Sequence, residues 1–198
     1  MNNLSSKDVW IKAINCDHYI YLMMLDKYRI KSTDGIVSAM KKQKINIFEG
    51  MCYTMSNAIY VLCDKHEDLR LYRCRDFENN YHWFLMNERI LGERCVENGK
   101  LIKNVGSPFI DPSSYQYDYK EVPPPTNTLT SRLLDGSYSN AECLEGYERM
   151  GQLNPYHSYG IKTQNFIDEL SDWVKEYETA RTEARDMKKP VDLTDFMQ

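Results

Sequence analysis

Two rhythms of apolar and polar positions run along this chain, and the change from one to the other sets the expected architecture. Ser5 and Ser6 are placed to cap a helix in which Val9, Trp10, Ile11, Ala13 and Ile14 carry the apolar positions. The polar pair Asp17-His18 is expected near its end, and Ile20 to Tyr28 follows as a second stretch rich in Leu, Met and Tyr. Ser32-Thr33-Asp34-Gly35 is a turn signal before the short apolar segment Ile36 to Met40. The run Lys41-Lys42-Gln43-Lys44 reads as a solvated face. After Gly50, the residues Met51, Met55, Ala58, Ile59 and Leu62 recur at spacings of three and four, a helical stripe with Cys52 in its first turn.

The period then drops to two. Residues 69–75 (LRLYRCR) alternate apolar and charged and predict a strand, and the aromatic-rich 81–86 (YHWFLM) predicts a second. Residues 88–92 and 101–105 are expected as further strand pieces or a long excursion, and 108–111 as a strand ending at Asp111-Pro112. Pro112 and Pro123-Pro124-Pro125 bracket Tyr115, Tyr117 and Tyr119, which predicts an extended, polyproline-like surface segment. Residues 128–150 carry no clear pattern, and Asn154-Pro155 and Gly160 are turn material. Residues 161–187 predict the longest helix, with Ile161, Phe166, Ile167, Leu170, Trp173, Val174 and Tyr177 on its apolar face. The expected class is α+β. One domain spans 1–198: a helical part (1–47), a mixed core (48–117), an irregular segment (118–160) and a C-terminal helix (161–187).

Composition narrows the functional classes. The 25 basic and 29 acidic residues leave a formal charge of −4, which offers no general grip on nucleic acid or anionic lipid. Aromatic rings at Tyr115, Tyr117 and Tyr119 suit base stacking, but Asp118 and Glu121 offset Lys120 and no basic patch flanks them, so nucleic acid is not an expected partner. The polar N-terminus carries no signal-peptide pattern, and no apolar stretch reaches the length of a membrane span. A cytoplasmic protein with no membrane partner is expected. Cys16, Cys52, Cys63, Cys74, Cys95 and Cys143 contain no C-x-x-C pair, so they are read as reduced thiols, and neither metal nor other cofactor is expected.

One constellation carries chemistry. A nucleophilic thiol needs a lowered pKa, a base within hydrogen-bond reach and a group that orients the base. The first turn of a helix favours the thiolate through its unpaired N–H groups and macrodipole, which singles out Cys52. His82 on a strand is the candidate base, and Asp111 at a later strand end is the candidate orienting carboxylate. The bland alternatives are a core thiol, a satisfied core histidine and an Asp-Pro turn. His18, His66 and His157 read as surface or capping residues, and the other five cysteines as structural.

Three segments also resemble a known pattern. Gly50-Met51-Cys52-Tyr53-Thr54-Met55-Ser56-Asn57-Ala58, His82-Trp83-Phe84-Leu85 and Asp111-Pro112-Ser113-Ser114-Tyr115-Gln116-Tyr117 look like the Cys–His–Asp core of transglutaminase-like proteins in the papain-like superfamily. More narrowly they resemble a family of uncharacterised tailed-phage proteins with the segments G-x-C-Y-x-x-S-x-A, H-W-[FW]-L and D-x-T-x-x-Q-[FY]. The resemblance covers residues 48–117. Ser113 stands where that family has Thr, and the separation of His82 from Asp111 implies an insertion at 92–106 in a hairpin that is usually short.

The resemblance implies a helix bearing the cysteine, packed on an antiparallel sheet and flanked by terminal helices. It implies Cys52, His82 and Asp111 as catalytic residues, with Gln116, Trp83, Tyr117 and Ser56 beside the substrate. The Cys52 amide is a candidate oxyanion donor, and Gln43 is a second. The implied function is thiol-dependent acyl chemistry on an amide or ester, as a cysteine peptidase or amidase or as an acyltransferase, in the cytoplasm of a phage host. The expected partner is then a protein or a small amide or ester substrate. The competing expectation is a non-catalytic phage protein that engages a host or defence component through the same fold.

Overall fold

A four-stranded antiparallel sheet of order β3-β2-β1-β4 organises the chain, with a buried helix along the edge of its second strand. The computed structural model describes residues 5–31, 35–94, 108–127, 129, 146–151 and 158–186. Their elements are α1 (Ser6–Lys27), α2 (Ile36–Gln43), α3 (Cys52–Leu62), β1 (Leu69–Arg75), β2 (Tyr81–Asn87), α4 (Glu88–Arg94), β3 (Phe109–Ile110), α5 (Tyr115–Lys120), β4 (Glu148–Met150) and α6 (Ser158–Asp186). Helices and strands coexist as the α+β class requires. The expectations for Cys95, Cys143, His157, residues 101–105 and most of the 92–106 insertion fall outside the described residues.

Strand alternation divides the sheet into two apolar faces. Leu69 and Leu71 of β1, Leu85 of β2 and Ile110 of β3 join the main core beneath α1, α3 and α6. Tyr72, Cys74, Phe84, Met86 and Phe109 point the other way into a second cluster that includes Leu129. The β1–β2 register pairs Cys74 with His82 and Arg73 with Trp83, so His82 lies on the second face and Trp83 on the first. An Asp-templated turn fixes that register. Asp76 Oδ1 accepts from the amides of Glu78 (3.0 Å) and Asn80 (2.8 Å), and Asn79 adopts the left-handed conformation at φ 63°.

Three local expectations are corrected. Residues 88–92 are helical, because the Asn87 side chain accepts from the Ile90 amide at 2.9 Å and caps a new helix where β2 ends. The tyrosines at 115–119 are helical rather than extended. Coiling puts Tyr115 and Tyr119 together against the core, with Tyr115 on Tyr21 and Phe48, while Tyr117 turns to the second face. The first helix does not end at Asp17-His18 but runs unbroken to Lys27. Ser5 caps it, accepting from the Asp8 amide at 3.2 Å.

Helix α6 crosses the back of α3 and α1. Phe166, Ile167 and Leu170 enter the core, Trp173 donates to Asp26 at 2.8 Å and Tyr19 donates to Glu178 at 2.7 Å. Its second half is mostly exposed. Among the described residues no helix is long and apolar enough to cross a membrane.

Leu71 is fully buried between the sheet and its helices. Leu71→Ala is expected to cost about 2–5 kcal/mol of unfolding free energy in a denaturant titration. A loss under about 1 kcal/mol would contradict this packing.

Candidate active site

Gly50 turns the chain into α3 with φ 70°, a conformation that a side chain would strain. The helix begins at Cys52, with Met51 at the cap position and no side chain capping the first turn. Among the described residues, β3 pairs with β2 only at Leu85 and Met86, and the start of α3 lies against the rest of that edge. There Ser56 Oγ donates to the Trp83 carbonyl at 3.2 Å, and Cys52 Sγ lies 3.9 Å from the Tyr81 carbonyl. The thiol is half-buried.

His82 lies between this thiol and Asp111, the residue after β3. Its Nε2 lies 2.8 Å from Asp111 Oδ2, and the two side chains are 1% and 6% exposed. With an ionised carboxylate as acceptor, Nε2 carries the proton and donates. The other ring nitrogen, Nδ1, is buried with no hydrogen-bond partner. Burial alone would lower the imidazole pKa. The charge and hydrogen bond of Asp111 outweigh it, the neighbouring Cys52 adds to the same effect, and the result is a shift from 6.5 to about 10. Tyr117 sets its ring edge against the imidazole at 5.0 Å, and Phe84 stacks on it at 6.5 Å.

Asp111 is held from several sides. Ser113 Oγ donates to Oδ1 at 3.3 Å, and Thr126 Oγ1 donates to Oδ2 at 3.1 Å. Gln116 Nε2 in turn donates to Ser113 Oγ at 3.1 Å. The carboxylate therefore cannot rotate away from His82 without abandoning other partners. Thr126 lies in the proline-rich segment, where periodicity gave no sign of it. Only the folded path of 112–127 returns it to Asp111. Asp17 of α1 is a second carboxylate near this cluster. Burial first, and the charge of Asp111 second, raise its pKa to about 7.

Of the residues named from sequence, Cys52, His82 and Asp111 converge, with the Cys52 thiol against the imidazole and Asp111 bonded to its Nε2. Gln116 is buried and committed to Ser113. Tyr117 is buried, with its hydroxyl donating to Asp76 at 3.4 Å. Ser56 is buried beneath the Trp83 carbonyl, while Trp83 itself is half-buried, edge-on to Tyr53. Gln43 is exposed at the end of α2. Cys74, the cross-strand neighbour of His82, is pushed up to about 12 by burial and by the charges of Asp111 and Asp76, so it stays a neutral thiol. Among the described residues no group of three His, Cys, Asp or Glu converges to hold a metal ion.

The titrations give two expectations of opposite sign. His82 has a raised folded pKa, so its contribution to stability is complete below pH 6.5 and is lost as pH rises through about 10. Melting temperatures of wild type across that window should fall more steeply than those of Asp111→Asn. Equal slopes would refute the pairing. Asp17 also has a raised pKa, but as an acid it opposes folding once ionised, from 3.8 upwards and fully above about 7. Asp17→Asn should therefore raise the melting temperature at pH 8 and leave it nearly unchanged at pH 3. An equal effect at both would show that Asp17 folds as an ordinary solvated carboxylate.

No protein-family model, curated protein or solved structure matches this chain.

Proposed function

We propose that this protein carries out thiol-dependent acyl chemistry on an amide or ester. The observation that carries this reading is the state of His82. One ring nitrogen is locked on Asp111 at 2.8 Å, and the other is buried, unpartnered and beside the thiol that begins α3. A buried nitrogen left without a partner costs free energy, which is reasonable where it exchanges a proton with the thiol and the leaving group. The Cys52 proton resides on Nδ1 of the imidazolium, as the raised pKa of His82 favours, and the thiolate of this ion pair attacks the substrate carbonyl carbon. The tetrahedral oxyanion is held by N–H groups of the uncapped first turn of α3. The imidazolium returns the proton to the departing amine or alcohol, leaving a thioester on Sγ. Water or a second amine then loses a proton to His82 and attacks that thioester, and the thiolate departs. Asp111 keeps Nε2 protonated and the ring oriented throughout. The resemblance of the three motifs to transglutaminase-like and phage proteins favours the same chemistry, in the cytoplasm of a phage host.

A second reading has its own observation. Cys52 Sγ faces the Tyr81 carbonyl at 3.9 Å, an acceptor that can engage the thiol in a purely structural contact. Under that reading the fold is a binding module and His82 serves only the buried polar cluster.

Labelling with limiting iodoacetamide across a pH series, with mapping of the modified sites, separates the two. Catalysis predicts that Cys52 is the first site labelled at pH 7 or below. His82→Gln and Asp111→Asn should both move its onset towards the ordinary thiol range near ~8.5. Wild-type Cys52 labelling only in that range would reject the enzyme.

A further inference from the structure

The first face of the sheet carries an unusual group beside the thiol. The strand register puts Arg73, Arg75, Tyr81 and Trp83 side by side on it. The Arg75 guanidinium lies over the Tyr81 ring at 3.5 Å, and that of Arg73 lies over the same ring at 4.3 Å. Arg73 also reaches the Trp83 ring at 5.9 Å. Tyr81 is 43% exposed although it is flanked by two cations, and its carbonyl is the group facing Cys52 Sγ at 3.9 Å. The aromatic platform and the carbonyl that faces the sulfur therefore belong to one residue.

Among the described residues only one of the two charges is balanced. Arg73 pairs with Glu148, its Nε donating at 2.7 Å. Arg75 is exposed and donates through Nη1 to the Asn79 carbonyl at 2.8 Å, and among the described residues no carboxylate pairs with it. Two like charges on one ring repel, and an exposed cation–π contact contributes only about 0.5–1 kcal/mol. A carboxylate set against the stacked Arg75 relieves that repulsion and gains a bidentate, charge-assisted pair.

We propose that the Arg75–Tyr81–Arg73 stack is a specificity subsite for an acidic side chain of the acyl donor. An extended substrate advances about 3.3 Å per residue, so a carboxylate one or two residues from the reacting carbonyl reaches the stack while that carbonyl meets Cys52. The substrate class is an acidic peptide or protein segment bearing Asp or Glu next to the amide or ester under attack. This rests on the acyl-chemistry reading of Cys52 and adds the recognition that the reading lacks.

The test uses matched tripeptide chloromethyl ketones that alkylate Cys52. One pair differs by Asp against Asn at the residue carrying the ketone, and a second pair by the same change one residue earlier. In at least one pair the Asp reagent should modify Cys52 about threefold faster or more, the size expected for one charge pair near a protein surface. Arg75→Gln should bring that ratio to about one, and Arg75→Glu should invert it. Arg75 is exposed, so unchanged melting temperatures certify that both variants are folded. Fast Cys52 alkylation with equal Asp and Asn rates, or a ratio insensitive to Arg75, overturns the subsite and leaves the nucleophile intact. Alkylation of Cys52 by every reagent, iodoacetamide included, at the rate of a free thiol overturns the acyl chemistry, and the subsite falls with it.

Discussion

The contact between the first turn of α3 and the edge of β2 is the constraint on which the site is built. Ser56 and Cys52, one helical turn apart, face the carbonyls of Trp83 and Tyr81, one strand repeat apart. A helix rises 5.4 Å per turn and a strand about 6.6 Å in two residues, so the two spacings stay nearly in step for a single turn. That brief match locates the thiol beside the imidazole. It works because β3 covers so little of β2, which leaves carbonyl groups for the helix to meet.

Behind the imidazole stands a buried polar cluster that needs every member. An unpaired carboxylate in such surroundings is costly, and a pair broken on one side is worse than no pair at all. Asp111 escapes this penalty by accepting from His82, Ser113 and Thr126. The cluster draws α5 and the proline-rich segment onto the second face of the sheet. The prolines serve this purpose less as a rigid rod than as a stop, since the chain leaves α5 at Glu121 in a left-handed conformation and then folds back. Asp17 marks the limit of this tolerance. It receives burial and a like charge, which raise its pKa to about 7, so it is only partly ionised near neutral pH.

Much of this was legible from residue order. The two strands, the helix starting at Cys52 and the long C-terminal helix follow from simple periodicity, because each buries a regular stripe. The three side chains at the centre were legible from residue type and local context. The failures have physical causes. At Asn87 a side-chain cap overrides the strand-like run that follows, and capping leaves little trace in a hydrophobic pattern. At Tyr115, Tyr117 and Tyr119 the alternation is real but serves two different surfaces of one short helix. Asp17 interrupts the apolar pattern of α1 without ending the helix, since the buried residues on either side of it hold one continuous helix on the core. Thr126 was invisible because its role depends on a tertiary return and not on its neighbours in sequence.

The tight turn at Asp76–Asn80 has a consequence for how this chain can change. Side chains in β2 alternate between faces, so the turn's length acts as a parity switch for the whole strand. Adding or deleting one residue there would exchange the places of His82 and Trp83, carrying the imidazole to the Arg75 side and the indole into the niche beside Asp111. Lineages derived from this sequence should therefore lengthen or shorten that connection only in steps of two, or else compensate with a bulge before Tyr81.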